Sequence, residues 1–198
     1  MIQKVDTLLK DYLENELNDS SNIVNDTLLD FSFKVPNRDW INSDGFSSSQ
    51  NWINIYLFEI RENLELRREG WQRSRNGDIV KSKKNPYFVD LYYLITFYNK
   101  SRNSTIEHQY LESSLLALFD FSNLAPNHIG DKELLEQITI ELFPKPYVDE
   151  QLGFQLWNSL DQDARPYISL KITVPLESKV SQRDTIVKSK EITYIEKE

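Results

Sequence analysis

The sequence predicts an α/β sandwich of α+β type, in which helices cover one or both faces of a mixed, largely antiparallel sheet. Three observations predict it. The N-terminal run carries apolar residues at helical spacing, two long stretches are apolar on both faces as strands inside a sheet must be, and a later stretch alternates apolar and polar residues cleanly.

Ile2, Val5, Leu9, Tyr12, Leu13 and Leu17 recur at intervals of three and four, so residues 2–17 read as an amphipathic helix with an acidic outer face. TLLDFSFKV, residues 27–35, sets Leu29, Phe31 and Phe33 against Asp30, Ser32 and Lys34, a half-buried strand stopped by Pro36. Residues 37–50, rich in Ser, Asn and Asp, read as a loop. In NWINIYLFEIREN, residues 51–63, Ile53, Ile55 and Leu57 point one way and Trp52, Tyr56, Phe58 and Ile60 the other, which makes a central strand. YFVDLYYLITFY, residues 87–98, repeats the pattern and pairs with it. The charged run between them reads as an overlong hairpin connection turning at Gly70 and Gly77. A loop of more than about 15 residues in a compact domain is usually functional or disordered.

STIE, residues 104–107, has the form of a capping box and starts a second helix, whose buried stripe is Ile106, Tyr110, Leu111, Leu115, Leu118 and Phe119. QITIELF, residues 137–143, is a strand closed by PKP. Asp149 caps a third helix that carries Leu152, Leu156, Trp157 and Leu160 despite Gly153, which costs about 1 kcal/mol relative to alanine. PYISLKITVPL, residues 166–176, places Ile168, Leu170, Ile172, Val174 and Leu176 inward and leaves one face open. Beyond Glu177 the chain is mostly polar but keeps Ile186, Ile192 and Ile195, and reads either as an extended arm or as a disordered end. The expected organisation is one domain over residues 1–176 and an arm over 177–198.

At 198 residues the chain is long enough to bury about 70% of its unfolded surface. No apolar run approaches the roughly 20 residues that span a bilayer, and the acidic N-terminus lacks the pattern of a signal peptide, so a soluble protein without membrane insertion is expected. The absence of cysteine excludes disulfides and thiolate chemistry. A net charge of -8 argues against a nucleic-acid partner. Basic residues nevertheless concentrate at Arg61, Arg67, Arg68, Arg73, Arg75, Lys81, Lys83 and Lys84, and that run fits a solvated loop and a docking patch equally.

Signals for catalysis are weak. His108 and His128 have no second ligand at metal-site spacing, and no glycine-rich phosphate loop or GxSxG elbow occurs. Asp149 and Glu150 sit where a helix start favours carboxylates. No enzyme, cofactor or metal is therefore expected. Most of the aromatics fall on buried faces. Trp71, beside Gly70 in the basic run, instead pairs with arginines as binding hot spots do.

VDTLLKDYL, NIYLFEIREN followed by Arg67 and Arg68, DLYYLITFYN, YLESSLLALFDF, LWNSL and YISLKITVPL together resemble, in order and spacing, the tube-terminator or cap family of contractile injection systems, the phage-tail-like particles of virulence-cassette and antifeeding-prophage type. The resemblance covers residues 2–176 and rests on the ordered set rather than on any one motif. It implies a phage-tail-terminator-like fold, assembled as a six-fold ring on the end of the inner tube opposite the baseplate, which stops tube growth and anchors the last sheath layer. It implies no reaction or cofactor. Its partners would be other copies of the chain, the tube protein and the sheath protein. Assembly would take place in the cytoplasm, into a particle that is released or membrane-anchored.

Longer relatives carry a second domain after the terminal strand, and a chain without one would be expected to serve as an adaptor ring beneath another cap subunit, which is the alternative. A monomeric binding module is the alternative from a different class. On the terminator reading, Arg61, Arg67, Arg68, Trp71, Arg73 and Arg75 grip acidic neighbours, and the arm, through Ile186 and Ile192, completes strands left open in the sheath. Local pairing of Arg61 with Glu59 is the competing explanation for that residue.

Overall fold

The structure, a computed structural model, describes residues 1–19, 29–42, 51–76, 79–121, 134, 136–144 and 150–185. The elements in chain order are α1 (Ile2–Asp19), β1 (Leu29–Ser32), α2 (Arg38–Ile41), β2 (Asn51–Glu62), β3 (Trp71–Asn76), β4 (Ile79–Lys84), β5 (Tyr87–Asn99), α3 (Ser104–Phe121), β6 (Thr139–Leu142), α4 (Glu150–Ser159), β7 (Tyr167–Leu176) and β8 (Ser181–Thr185). Five strands form one sheet in the order β1-β2-β5-β7-β6, and three form a smaller sheet in the order β3-β4-β8. Among the described residues only β1 and β2 run parallel; every other pairing is antiparallel. The mixed α+β class expected from the pattern is the class observed.

The two-sided strands are central because each face has its own cover. Ile53 and Ile55 of β2, Leu91, Tyr93, Ile95 and Phe97 of β5 and Ile168 to Val174 at alternate positions of β7 face α1 and α3. Val5, Leu9, Leu13 and Leu118, each fully buried, complete that layer. On the opposite face Trp40 of α2 packs edge-on against Tyr98 and Trp52, with ring centroids 5.0 and 6.0 Å away. Trp157 and Leu160 of the α4 region cover Leu94, with Tyr56, Phe58 and Tyr167 around them. Each such aliphatic side chain taken out of water contributes roughly 1.5–3 kcal/mol.

Several expectations are corrected. The charged run is not a loop: residues 71–76 and 79–84 are paired throughout, as a hairpin of β3 and β4 in register from Trp71↔Lys84 to Asn76↔Ile79. The early strand stops at Ser32, which is buried, while Phe33 is 40% exposed. There the Lys34 amide donates to Ser32 Oγ at 3.2 Å and Asn54 Nδ2 donates to the Lys34 carbonyl at 2.9 Å, so side chains take over the backbone groups and the chain peels off β2. Residues 37–50 include α2, begun by Asn37, whose Oδ1 accepts from the Trp40 amide at 2.9 Å. Ile60 lies beyond the reach of α4 and is 50% exposed.

At the start of α3 the cap is Asn103 rather than Ser104: Asn103 Oδ1 accepts from the Thr105 amide at 3.0 Å. Glu107 does not fold back on the helix end, because it accepts from the Asn99 amide and from Arg165 Nη1, both at 3.0 Å. Phe119, placed in the buried stripe by spacing, is 49% exposed; Ser114 and Ala117 take the inner positions because small side chains let α3 approach the layer closely. The outward face of β7 is not open either, since Ser169 and Thr173 are buried. Asp149, His128 and the arm beyond Thr185 lie outside the described residues.

Candidate functional site

The small sheet is a continuation of the large one. β2 leads to β3, β4 leads into β5 and β7 leads to β8, so the three neighbouring strands β2, β5 and β7 are prolonged by β3, β4 and β8 in the same lateral order. At about 3.3 Å per residue, six-residue strands carry this extension roughly 20 Å past the sheet end. Its three strands hold six basic residues, Arg73, Arg75, Lys81, Lys83, Lys84 and Arg183, against the one acid Asp184.

The root is fixed by polar contacts. The Asn63 amide donates to the Phe88 carbonyl at 2.9 Å, and Asn63 Nδ2 donates to Asp90 Oδ1 at 3.0 Å. Asp90 also accepts from Thr173 Oγ1 at 2.6 Å, which ties β2, β5 and β7 together at the bend. Gly70 turns the chain with φ of 115°, a region that side-chain-bearing residues avoid. Asn85 holds that turn: its amide donates to the Gly70 carbonyl at 3.2 Å and its Nδ2 to the Glu69 carbonyl at 3.3 Å. Lys83 Nζ reaches Glu177 Oε2 at 2.6 Å, linking β4 to the segment before β8, and Lys84 lies 4.9 Å from the Tyr87 ring centroid.

Alternation sorts the side chains to two faces, both toward solvent. Trp71, Arg73 and Arg75 stand beside Lys84, Ser82 and Val80 on one; Gln72 and Ser74 stand beside Lys83 and Lys81, and then Ser181 and Arg183, on the other. Trp71 and Ile79 are 44% and 45% exposed. A shallow concavity of about 450 Å³ is lined along the three strands by Gln72, Lys81, Lys83 and Arg183 among others.

The candidates from sequence thus divide. Arg73, Arg75 and Trp71 share one face of the extension. Arg61 and Arg67 sit at its root, occupied by local acids: Arg61 Nε contacts Glu59 Oε1, and Arg67 lies 3.5 Å from Glu62 and 4.0 Å from Glu69. Such exposed pairs contribute about 0–1 kcal/mol each. Arg68 is exposed beside a second concavity of about 270 Å³ at the root, and Ile186 and Ile192 lie outside the described residues. Reading the run as a loop hid Lys81, Lys83 and Arg183 as members of one surface. The signal that marks it is Gly77-Asp78 between two stretches of six residues, a hairpin dipeptide whose flanks lack the apolar alternation that normally accompanies it.

Next to the root, the Lys171 ammonium has its pKa raised: burial alone would lower it, but the bond to Glu141 together with the negative charges of Glu141 and Asp90 outweighs that. Tyr92 is raised by burial and then by Asp90. Among the described residues no group of three or more His, Asp or Glu side chains is placed to hold a metal, His108 is exposed on α3, and no helix is long and apolar enough to cross a membrane.

A helix-covered mixed sheet, prolonged by a bare cationic extension, defines an α+β domain. The chain belongs to the Pvc16 N-terminal domain family, whose model matches residues 4–187. Among solved structures it is similar to the sheath/tube terminator, in the extended state, of the extracellular contractile injection system PVC, with a TM-score of 0.67, 20% identity, and coverage of 100% of this chain and 64% of that chain. It is similar also to the tube-terminating cap of the anti-feeding prophage, with a TM-score of 0.63, 21% identity, and coverage of 98% and 62%. The chain therefore spans a little under two thirds of the length of those two proteins. A sequence search of curated proteins gave no match.

Proposed function

We propose that the protein is a structural terminator subunit of a contractile injection system: it closes as a six-fold ring on the end of the inner tube opposite the baseplate, stops tube growth and anchors the last sheath layer. The observation that carries this reading is the likeness of fold over the whole chain to a sheath/tube terminator, together with membership of the family. Tubes and sheaths grow by repeated heterologous contacts, and growth stops when a subunit matches the last ring on one side and offers no equivalent surface on the other. That task needs complementary side chains and no bond chemistry, so neither an enzyme activity nor a cofactor belongs to the proposal.

Residues 1–176 form the terminator domain on this reading and 177–198 the arm, whose first strand, β8, lies along β4. The rest of the arm, with Ile186 and Ile192, completes strands of the sheath. Arg61, Arg67, Arg68, Trp71, Arg73 and Arg75 meet acidic surfaces of neighbouring subunits in the ring or the tube. Assembly takes place in the cytoplasm, and the particle carries the ring thereafter.

Mixing the chain with polymerising tube protein tests the reading. Capped tubes of arrested length are expected, and unchanged elongation contradicts it. In the same assay the triple variant Arg61→Lys, Arg67→Lys, Arg68→Lys should cap about tenfold less well, because lysine cannot reproduce a two-bond grip on carboxylates. Unaltered capping by the variant would remove those three residues from the docking surface.

A further inference from the structure

The extension lacks what holds other sheets in place. A small sheet is stable when a face is buried, yet of the described side chains in its three strands only Ser82 is buried. Like charges across strands repel, and Lys81 is flanked by Arg183 in β8. Lys81, Arg73 and Arg183 have no carboxylate within ion-pair distance among the described residues. A surface of this kind calls for an acidic cover with some apolar area to receive Ile79.

The chain supplies such a surface on its own helix layer. It carries 31 acidic residues against 23 basic ones, and six of the basic ones lie in the extension. On α3, Glu112, Leu116 and Asp120 fall at four-residue steps on one outward line, and Leu116 is 61% exposed. Glu16 of α1 stands next to that line: after burial, the charges of Glu16 and Asp120 are what raise the Tyr12 hydroxyl, itself bonded to the Ala117 carbonyl at 2.8 Å. Glu16, Glu112 and Asp120 have no basic partner among the described residues.

We infer that the cationic extension of one copy docks on the α1–α3 layer of the next, setting Lys81, Lys83 and Arg183 against Glu16, Glu112 and Asp120 and Ile79 against Leu116. The extension prolongs the sheet at its end, whereas the helix layer lies over its face. One contact of this kind uses two different surfaces, so it repeats head to tail from copy to copy and closes when the rotation allows. The inference rests on the terminator reading for the ring and adds which surfaces make it.

The test joins the full chain, as an equal mixture of unlabelled and isotope-labelled copies bound to tube, with a zero-length carboxyl–amine crosslinker, and sequences the linked peptides. Mixed-isotope links from Lys81 or Lys83 to Glu16, Glu112 or Asp120 are expected. Links from those lysines only to tube protein or within one copy, or no links, overturn the inference while leaving a tube-bound terminator intact. Lys81→Glu with Arg183→Glu should lower occupancy of tube ends by about tenfold, and adding Glu112→Lys with Asp120→Lys should restore it. Failure to restore also overturns the inference. If the chain is absent from tube ends, the terminator reading falls, and mixed-isotope links among concentrated free copies decide the inference alone.

Discussion

Tyr12, Tyr92, Tyr93 and Tyr98 all keep their protons more tightly than free tyrosine, with burial the largest cause in each. Tyr93 adds a hydrogen bond from its hydroxyl to Asp6 Oδ1 at 2.7 Å, an acceptor that a phenolate would repel. The folded pKa values are raised above the ordinary value of 10.0, so the unfolded chain ionises first. The stabilisation is fully present below about pH 10 and is lost as pH rises through and beyond it, at up to about 1.4 kcal/mol per pH unit for each proton. Lys171, also raised, acts in the same direction. Urea unfolding should show a midpoint unaffected by this set up to about pH 9 and falling steeply above pH 10, with a shallower fall in Tyr93→Phe. An identical alkaline fall in that variant would mean that Tyr93 is not part of the effect.

The helices and strands differ in what they stake on burial. Trp157 in α4 is 2% exposed against Leu94 and Leu160, whereas Trp71 in β3 is 44% exposed on the extension. Trp157→Ala should therefore cost about 3–5 kcal/mol in unfolding free energy, and Trp71→Ala no more than about 0.5 kcal/mol while weakening capping. Equal losses of stability would contradict the separation of core from docking surface. The same contrast explains what was legible in the sequence. α1, β2, β5 and β7 announce themselves because Val5, Leu9 and Leu13, Ile53 and Ile55, or Ile168, Leu170 and Ile172 repeat at the period of the element that buries them.

β3 and β4 bury almost nothing, so hydrophobic period carries no trace of them; only pairing with each other and β8 defines them. The capping box expected at Ser104 does not form, and the cap lies one residue earlier, because Glu107 instead holds Arg165, whose guanidinium also lies 4.7 Å from the Tyr98 ring. That competition is tertiary, and local spacing does not express it. The early strand is shorter than its alternation predicts for a similar reason, since Asn54 takes the Lys34 carbonyl that would otherwise continue the ladder.

At the scale of the whole molecule, charge and shape are segregated. The folded body is acidic and complete on both faces of its sheet, and the extension is basic and uncovered, so the parts of the chain that remain unsatisfied are those suited to meeting other subunits. A chain with one such extension and one complementary layer adds in a single direction, which is the property a ring on a tube end requires. The membership of the Pvc16 N-terminal domain family and the likeness to two terminators give the fold; the segregation of charge supports the proposed role as a stop. The most direct measurement is the length distribution of inner tubes in particles assembled with and without this chain, imaged by electron microscopy. Tubes of uniform length with it, and of broad, unregulated length with loosened sheaths without it, are predicted; identical lengths and intact sheaths in both would contradict the account.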